Sequence, residues 1–302
     1  MRAALATLRA WLQASRLPSQ SYIGLPLLLG QLVAVRSRGE GLDLGTLVGV
    51  QLFGVLDQLF IVYANDLADQ ETDRLNRTST LFSGGSRVLV EGRLSPRALG
   101  TAALVCAGAL LALSVGLAVL RDAPLLVPLA LAALALLWAY SHPPLKLSYR
   151  GGGELLQMVG VAGVLPLYGF LAQGGELGRF PWALTVFLLP THLACAVATA
   201  LPDEPSDRDS GKRTLPARMG GAKAAWVIVA LNVLSLALAP LGLDSVGLDS
   251  RPGLLVPALA TLAVGLLRPA PPGSRLLLVR VAAAIAATLS MVMIPLVGLV
   301  LS

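Results

Sequence analysis

Apolar residues run for roughly 20 positions at a time along most of the chain, separated by short polar breaks. That is the pattern of helices crossing a bilayer, not of one-sided elements around a soluble core. Nine runs are predicted as spanning helices, over residues 17–35, 44–64, 98–120, 123–140, 155–172, 182–201, 222–241, 253–267 and 276–301. The eighth is short, and the ninth is long enough to tilt or to extend past the bilayer. Ahead of them, Leu5, Leu8, Trp11 and Leu12 share one helical face, with Arg2 and Arg9 turned away from it. Residues 1–16 therefore read either as a helix lying along the membrane surface or as an extension of the first span. The expected fold is all-α: a polytopic membrane bundle of about nine transmembrane helices around one central cavity, a single domain over residues 1–302.

Composition agrees with the pattern. Of 302 residues, 55% are hydrophobic and 13% charged, against about 25% charged in a soluble domain, and mean hydropathy is +0.74. The net charge of +6 does not suggest nucleic acid, because the basic residues sit in short breaks between apolar runs. Cys106 and Cys195 both fall inside those runs, where a thiol packs as a small hydrophobe, so a disulfide scaffold is excluded. Eighteen of the 23 Lys and Arg collect on one side of the predicted spans, Arg268, Arg275 and Arg280 in the last break among them. Arg36, Arg38, Arg121, Arg179 and Arg251 make up the other side, leaving none in a membrane interior. The excess of positive charge places the amino terminus in the cytoplasm and the carboxyl terminus outside.

Carboxylates are rare in apolar helices, so clustered ones call for a reason. The second span ends in Tyr63-Ala-Asn-Asp-Leu-Ala-Asp-Gln-Glu-Thr-Asp73. Asn65, Asp69 and Asp73 stack at i, i+4 and i+8 on one face, with Asp66 about 60° to the side. The sixth span ends in Leu201-Pro-Asp-Glu-Pro-Ser-Asp-Arg-Asp-Ser-Gly211, where Asp203 and Asp207 repeat the spacing. Pro202 and Pro205 bracket Asp203 and predict a broken helix end there. By the charge count both clusters emerge at the cytoplasmic side, and basic residues follow each: Arg74, Arg77 and Arg87, then Lys212, Arg213 and Arg218. Hard carboxylate oxygens suit Mg²⁺, and the neighbouring cations suit phosphate oxygens. Together they describe a magnesium–diphosphate site at a membrane boundary.

With these residues the chain resembles the UbiA superfamily of intramembrane prenyltransferases. Asn65-Asp66-x-x-Asp69-x-x-x-Asp73 is similar to the first aspartate-rich motif of that family, and Asp203-x-x-x-Asp207-x-x-x-Gly211-Lys-Arg-Thr-Leu-Pro216 to the second. Arg16-Leu-Pro18, Tyr140-Ser-His-Pro-Pro-Leu-Lys146 and Gly153-Glu154 fall in family order. The loop Leu81-Phe-Ser-Gly-Gly-Ser-Arg-Val88, continuing through Glu91-Gly-Arg-Leu-Ser-Pro96, looks most like the menaquinone branch, the 1,4-dihydroxy-2-naphthoate polyprenyltransferases.

The resemblance implies transfer of a polyprenyl group from its diphosphate to an aromatic carbon. The expected acceptor is 1,4-dihydroxy-2-naphthoate or a similar quinone precursor, with 4-hydroxybenzoate, homogentisate and a lipid alcohol as alternatives. Mg²⁺ is then expected on Asp66, Asp69, Asp73, Asp203 and Asp207 with Asn65 as a neutral ligand. Arg77, Lys146, Lys212 and Arg213 are the candidates for diphosphate contacts, with Arg16 a weaker one. Tyr140 could face the allylic cation or serve only as an interfacial anchor. Arg87 with Gly84 and Gly85 is expected to form a mobile lid, unless the glycines mark only a tight turn. Deeper in the spans, Gln58 shares the face of Asn65. Asp57 and His192 are expected to pair, binding acceptor hydroxyls or taking the ring proton, or merely ordering the bundle. A transporter and a non-catalytic lipid-binding protein are the rival readings.

Overall fold

The computed structural model describes residues 2–77, 79–80, 83–249, 251–267 and 271–302. Leu81, Phe82 and Arg268, which entered the loop comparison and the charge count, lie outside the described residues. The described chain is helical: α1 (Arg2–Ala14), α2 (Gln20–Arg38), α3 (Leu44–Ala68), α4 (Gln70–Leu75), α5 (Pro96–Leu120), α6 (Leu126–Ser141), α7 (Leu147–Arg150), α8 (Gly153–Val159), α9 (Leu165–Ala172), α10 (Trp182–Ala200), α11 (Glu204–Asp209), α12 (Leu215–Met219), α13 (Gly221–Asp244), α14 (Leu255–Leu266) and α15 (Arg275–Leu301).

Every predicted span corresponds to a helix. Among the described residues, six helical stretches are long and apolar enough to cross a membrane. α6 and α14 are apolar but have only 16 and 12 residues, or about 24 and 18 Å at 1.5 Å per residue. The chain is a multi-pass membrane protein. Large apolar side chains stay on its outside, among them Leu104, Val119, Leu120 and Leu301, as lipid-facing surfaces require.

Local chemistry sets the helix ends. Asp43 caps α3 by accepting from Thr46 N at 2.6 Å, and Ser95 caps α5, where Pro96 supplies a first residue needing no donor. α8 and α9 form one rod joined by a π turn over Gly160–Val164, just before Pro166 removes a backbone donor. The second acidic segment breaks where its prolines predict: α10 stops at Ala200, a 3₁₀ turn covers Leu201–Asp203, and α11 begins at Glu204.

α2 and α9 approach closely because each presents a glycine. A Cβ on Gly30 would overlap Pro166 O, and one on Gly169 would overlap Leu27 O. Phe53 and Tyr168 stack at 3.9 Å in the core, and the Tyr168 hydroxyl meets Ser114 Oγ at 3.0 Å.

Three expectations change. α1 is a separate helix, not an extension of the first span: Arg16 turns the chain with φ 44° before a 3₁₀ turn at Leu17–Ser19. Leu5, Leu8 and Leu12 form its exposed apolar face, but Trp11 leaves that face and packs edge-on against Tyr63 at 5.7 Å. Arg280, counted in the last break, lies in the second turn of α15, buried, with its Nε lacking a partner. Arg280 therefore belongs to the helix itself and not to the break before it.

Candidate active site

The two acidic segments meet. Asn76 Nδ2 donates to Asp203 Oδ1 at 2.6 Å, and Lys212 Nζ donates to Asp69 Oδ2 at 2.7 Å. Between them opens a cavity of about 480 Å³. Its mouth is lined by Arg16, Asn65, Asp69, Asp73, Asp203, Asp207 and Lys212, and its inner wall by Ile61, Leu137, Val164, Leu165 and Leu289. Charged groups at one end and hydrocarbon behind them form a container for a polar head with an apolar tail.

Each acid has its own environment. Asn65 Oδ1 accepts from Ser141 Oγ at 3.1 Å. Asp66 turns off the cavity wall, where Arg16 pairs with it and Ser86 donates to it through both N and Oγ. Asp69 accepts from Lys212 and, at 3.1 Å, from the Tyr149 hydroxyl. Asp203 also accepts from Gly84 N at 3.0 Å, and Asp207 accepts from Thr214 Oγ1 at 2.8 Å. The Asp73 carboxylate lies against Gly85. Burial, then the charges of Asp69 and Asp66, push Asp73 up to about 7, with Arg16 opposing. Burial disfavours the Lys212 ammonium, yet the charge of Asp69, foremost among its neighbours, holds its pKa well above the ordinary lysine value.

The expected single shell of five acids is not drawn together. Among the described residues, no three His, Cys, Asp or Glu groups are close enough to hold one ion. Most of these carboxylates are engaged by internal donors instead: Asp66 by Ser86, Asp69 by Lys212 and Tyr149, Asp203 by Asn76 and Gly84, and Asp207 by Thr214.

The basic candidates divide sharply. Arg16 and Lys212 line the cavity; Arg77, Arg87, Lys146 and Arg213 do not. Arg77 and Arg213 are exposed. Arg87 donates to the backbone carbonyls of Asp73 and Asn76 at 2.5 and 3.1 Å, and Lys146 Nζ lies 3.7 Å from the Tyr149 ring centroid. The expected lid segment is folded onto the carboxylates: Gly84 and Ser86 bond them, Gly85 packs on one, and Arg87 ties the segment down. Tyr140 is in the cavity wall, as are Asp57 and Gln58.

The expected Asp57–His192 pair does not form. Asp57 Oδ1 and both His192 ring nitrogens are buried without partners, and His192 packs edge-on against Tyr22 at 5.2 Å, outside the cavity lining. A helical phase counted along one sequence does not fix how two helices are rotated toward each other.

Sequence reasoning missed several groups that position the acids and Lys212. Tyr149 sits in the short α7, its hydroxyl 2.7 Å from Thr72 Oγ1 as well as bonded to Asp69. Glu154 lines the cavity and accepts from Leu215 N at 2.6 Å, fixing the segment that carries Lys212. Glu154 and Thr214 stood within the motifs quoted above, so their proximity to the acids was the available signal. Tyr149 offered none.

The sequence profile of the UbiA prenyltransferase family matches residues 23–276. The chain is 27% identical over 234 residues to a homogentisate phytyltransferase of Synechocystis sp., covering 72% of this chain and 70% of that one. It is 29% identical over 231 residues to a digeranylgeranylglyceryl phosphate synthase of Thermococcus gammatolerans, covering 76% of each. Its fold is similar to that of a UbiA homolog from Aeropyrum pernix K1, with TM-score 0.69, 20% identity and coverage of 93% and 97%. It is also similar to that of a UbiA homolog from Archaeoglobus fulgidus bound to DMAPP and Mg²⁺, with TM-score 0.66, 16% identity and coverage of 97% and 99%.

Proposed function

Since the chain belongs to the UbiA prenyltransferase family, we propose that it moves a polyprenyl group from polyprenyl diphosphate to an aromatic acceptor at the cytoplasmic face of a cell membrane. The acceptor we favour is 1,4-dihydroxy-2-naphthoate or a related quinone precursor. The observation that carries this reading is the meeting of the two acidic segments at the mouth of one cavity whose inner wall is apolar. Family membership replaces the transporter reading with prenyl transfer.

The residues at the mouth fit Mg²⁺. Asn65, Asp69, Asp73, Asp203 and Asp207 offer hard oxygens to one cavity, the donor type this ion takes, and Asp73 is pushed up first by burial and then by the charges of Asp69 and Asp66 beside it. When bound, Mg²⁺ neutralises the diphosphate and stabilises the charge that builds on it as the allylic C–O bond breaks. Asp66 serves by holding Arg16 and the 83–87 segment, not by facing the cavity.

Lys212 and Arg16 contact diphosphate oxygens from the cavity wall, Arg16 as a planar fork. Arg77, Arg87, Lys146 and Arg213 contribute from outside it, through the field at the mouth and by holding local structure. Tyr140 flanks the reacting carbon, where a ring face attracts an allylic cation by roughly 0.5–2 kcal/mol. The apolar inner wall receives the prenyl tail from the bilayer and keeps water from the cation. The homogentisate relative favours an aromatic acceptor; the glyceryl phosphate relative leaves a lipid alcohol as the second reading.

Membranes containing the protein, given labelled polyprenyl diphosphate, Mg²⁺ and a panel of phenols, are expected to form a prenylated aromatic product, and none after chelation. Transfer to no phenol, or to a lipid alcohol alone, overturns the acceptor assignment.

Metal affinity is also expected to depend on pH. Asp73 titrates near 7 in the metal-free protein, and Mg²⁺ binds its ionised form. Raising the pH from 6 to 8 therefore strengthens Mg²⁺ binding, and binding near pH 7 releases protons. Calorimetry in two buffers of different ionisation enthalpy reads this directly; a heat independent of the buffer would refute it.

A further inference from the structure

The polar groups of the cavity form two sets. At the mouth the acids, Asp73 apart, are engaged by named donors. The other set lies within the bundle, and Asp57 dominates it. Asp57 stands eight residues before Asn65 on α3, about 12 Å further in along the helix axis. It lines the same cavity, is 2% exposed, and its Oδ1 has no hydrogen-bond partner. No ion pair reaches it among the described residues.

A carboxylate buried in this way is costly unless something donates to it. A wall serving only a hydrocarbon tail would pack better with an apolar side chain of the same shape. The prenyl tail carries no donor, and the diphosphate head has its own groups at the mouth. His192, the neighbour expected to pair with Asp57, is turned onto Tyr22. A donor must arrive with the other substrate.

We propose that Asp57 is the hydroxyl-selecting residue of the acceptor subsite, its carboxylate accepting a hydrogen bond from a phenolic hydroxyl of the molecule to be prenylated. This rests on the prenyl-transfer reading above and adds a direction to it. The acceptor enters with a hydroxyl pointing inward to Asp57. Any carboxylate it carries is repelled from that end and drawn toward Arg16 and Lys212 at the mouth. A site built to accept a hydroxyl hydrogen bond also rejects analogues that lack the donor, because the acid is then left bare.

The test compares 1,4-dihydroxy-2-naphthoate and homogentisate with their dimethyl ethers, using the full chain in vesicles. Two readouts are taken: kcat/KM for transfer, and acceptor binding followed by thermal stabilisation. Binding of the prenyl diphosphate with Mg²⁺ is measured alongside. The wild type is expected to prefer the free phenols by roughly 10- to 100-fold, the range of one hydrogen bond to a charged group. Asp57→Leu should erase that preference while binding prenyl diphosphate as before, and Asp57→Asn, which keeps an acceptor oxygen, should restore part of it. A wild type blind to methylation, or an Asp57→Leu protein that still discriminates, overturns the proposal. Failure of the wild type to bind prenyl diphosphate at all would instead defeat the underlying prenyl-transfer reading, and this inference with it.

Discussion

Asp69→Ala is expected to lower prenyl transfer by about 10³-fold or more, the scale lost when a charge-stabilising group is removed from a reacting centre. Asp69 is where the two acidic segments are joined. Lys212 donates to one of its oxygens at 2.7 Å and Tyr149 to the other at 3.1 Å, and both members of the Asp69–Lys212 pair are nearly buried. Alanine removes a candidate ligand and also strands Lys212. Stranding one partner of a buried pair costs about 3–5 kcal/mol, so Lys212 would move or lose its proton. Asp69→Asn separates the two effects: it keeps the shape and a neutral oxygen but withdraws the charge that holds Lys212 protonated. It should fold nearly as well as the parent and remain almost inactive. Asp207→Ala, on the facing segment, should behave in the same way. Activity is read as transfer from labelled diphosphate in vesicles, with Mg²⁺-induced thermal stabilisation as a second measure. Substantial turnover in folded Asp69→Ala and Asp207→Ala proteins would sink the metal-site assignment.

The helices were legible because each is a long apolar run, with Asp43, Ser95 and Ser274 as capping residues at three starts and Pro202 and Pro205 at the break between α10 and α11. The first acidic cluster was less regular than expected: Asn65 and Asp66 lie in α3, but Asp69 ends that helix and Asp73 falls in α4, so the uninterrupted stack at i, i+4 and i+8 is broken at Asp69. Basic side chains were less legible, because they lie in connections whose direction is set by single backbone angles. Arg16, Arg87 and Lys146 all adopt left-handed conformations, with φ of 44°, 68° and 43°, and no pattern of residue types announces such turns at non-glycine positions. Two of these three consequently missed the cavity, as did Arg77 and Arg213. The Asp57–His192 pair failed for a different reason, since joining them needs the mutual rotation of α3 and α10. Tyr149 reaches Asp69 across 80 positions of sequence, a contact that only packing creates.

Gly85→Ala should cost a large share of the activity, though the substitution adds a single methyl group. Gly85 has φ +68°, a conformation that disfavours a Cβ by roughly 1–2 kcal/mol. The larger effect is contact: an added Cβ would overlap Asp73 Oδ2 and lie 2.7 Å from its Cγ. The carboxylate cannot simply retreat, because it is buried beside Asp69 and Asp66. Nor can the segment lift freely, since Gly84 N is bonded to Asp203, Ser86 to Asp66 and Arg87 to the carbonyl of Asp73. The methyl group must therefore displace either Asp73 or the contacts to both acidic segments. A loss of about 10²-fold in transfer is expected, with Mg²⁺ binding weakened in parallel. Gly92→Ala supplies the control: its φ is +65°, yet nothing lies within 4 Å of the position where a Cβ would sit. It bears the backbone penalty alone, so its activity should stay near that of the parent. If Gly85→Ala and Gly92→Ala fall together, the damage comes from backbone strain in the loop and the packing of Gly85 on Asp73 has no functional weight.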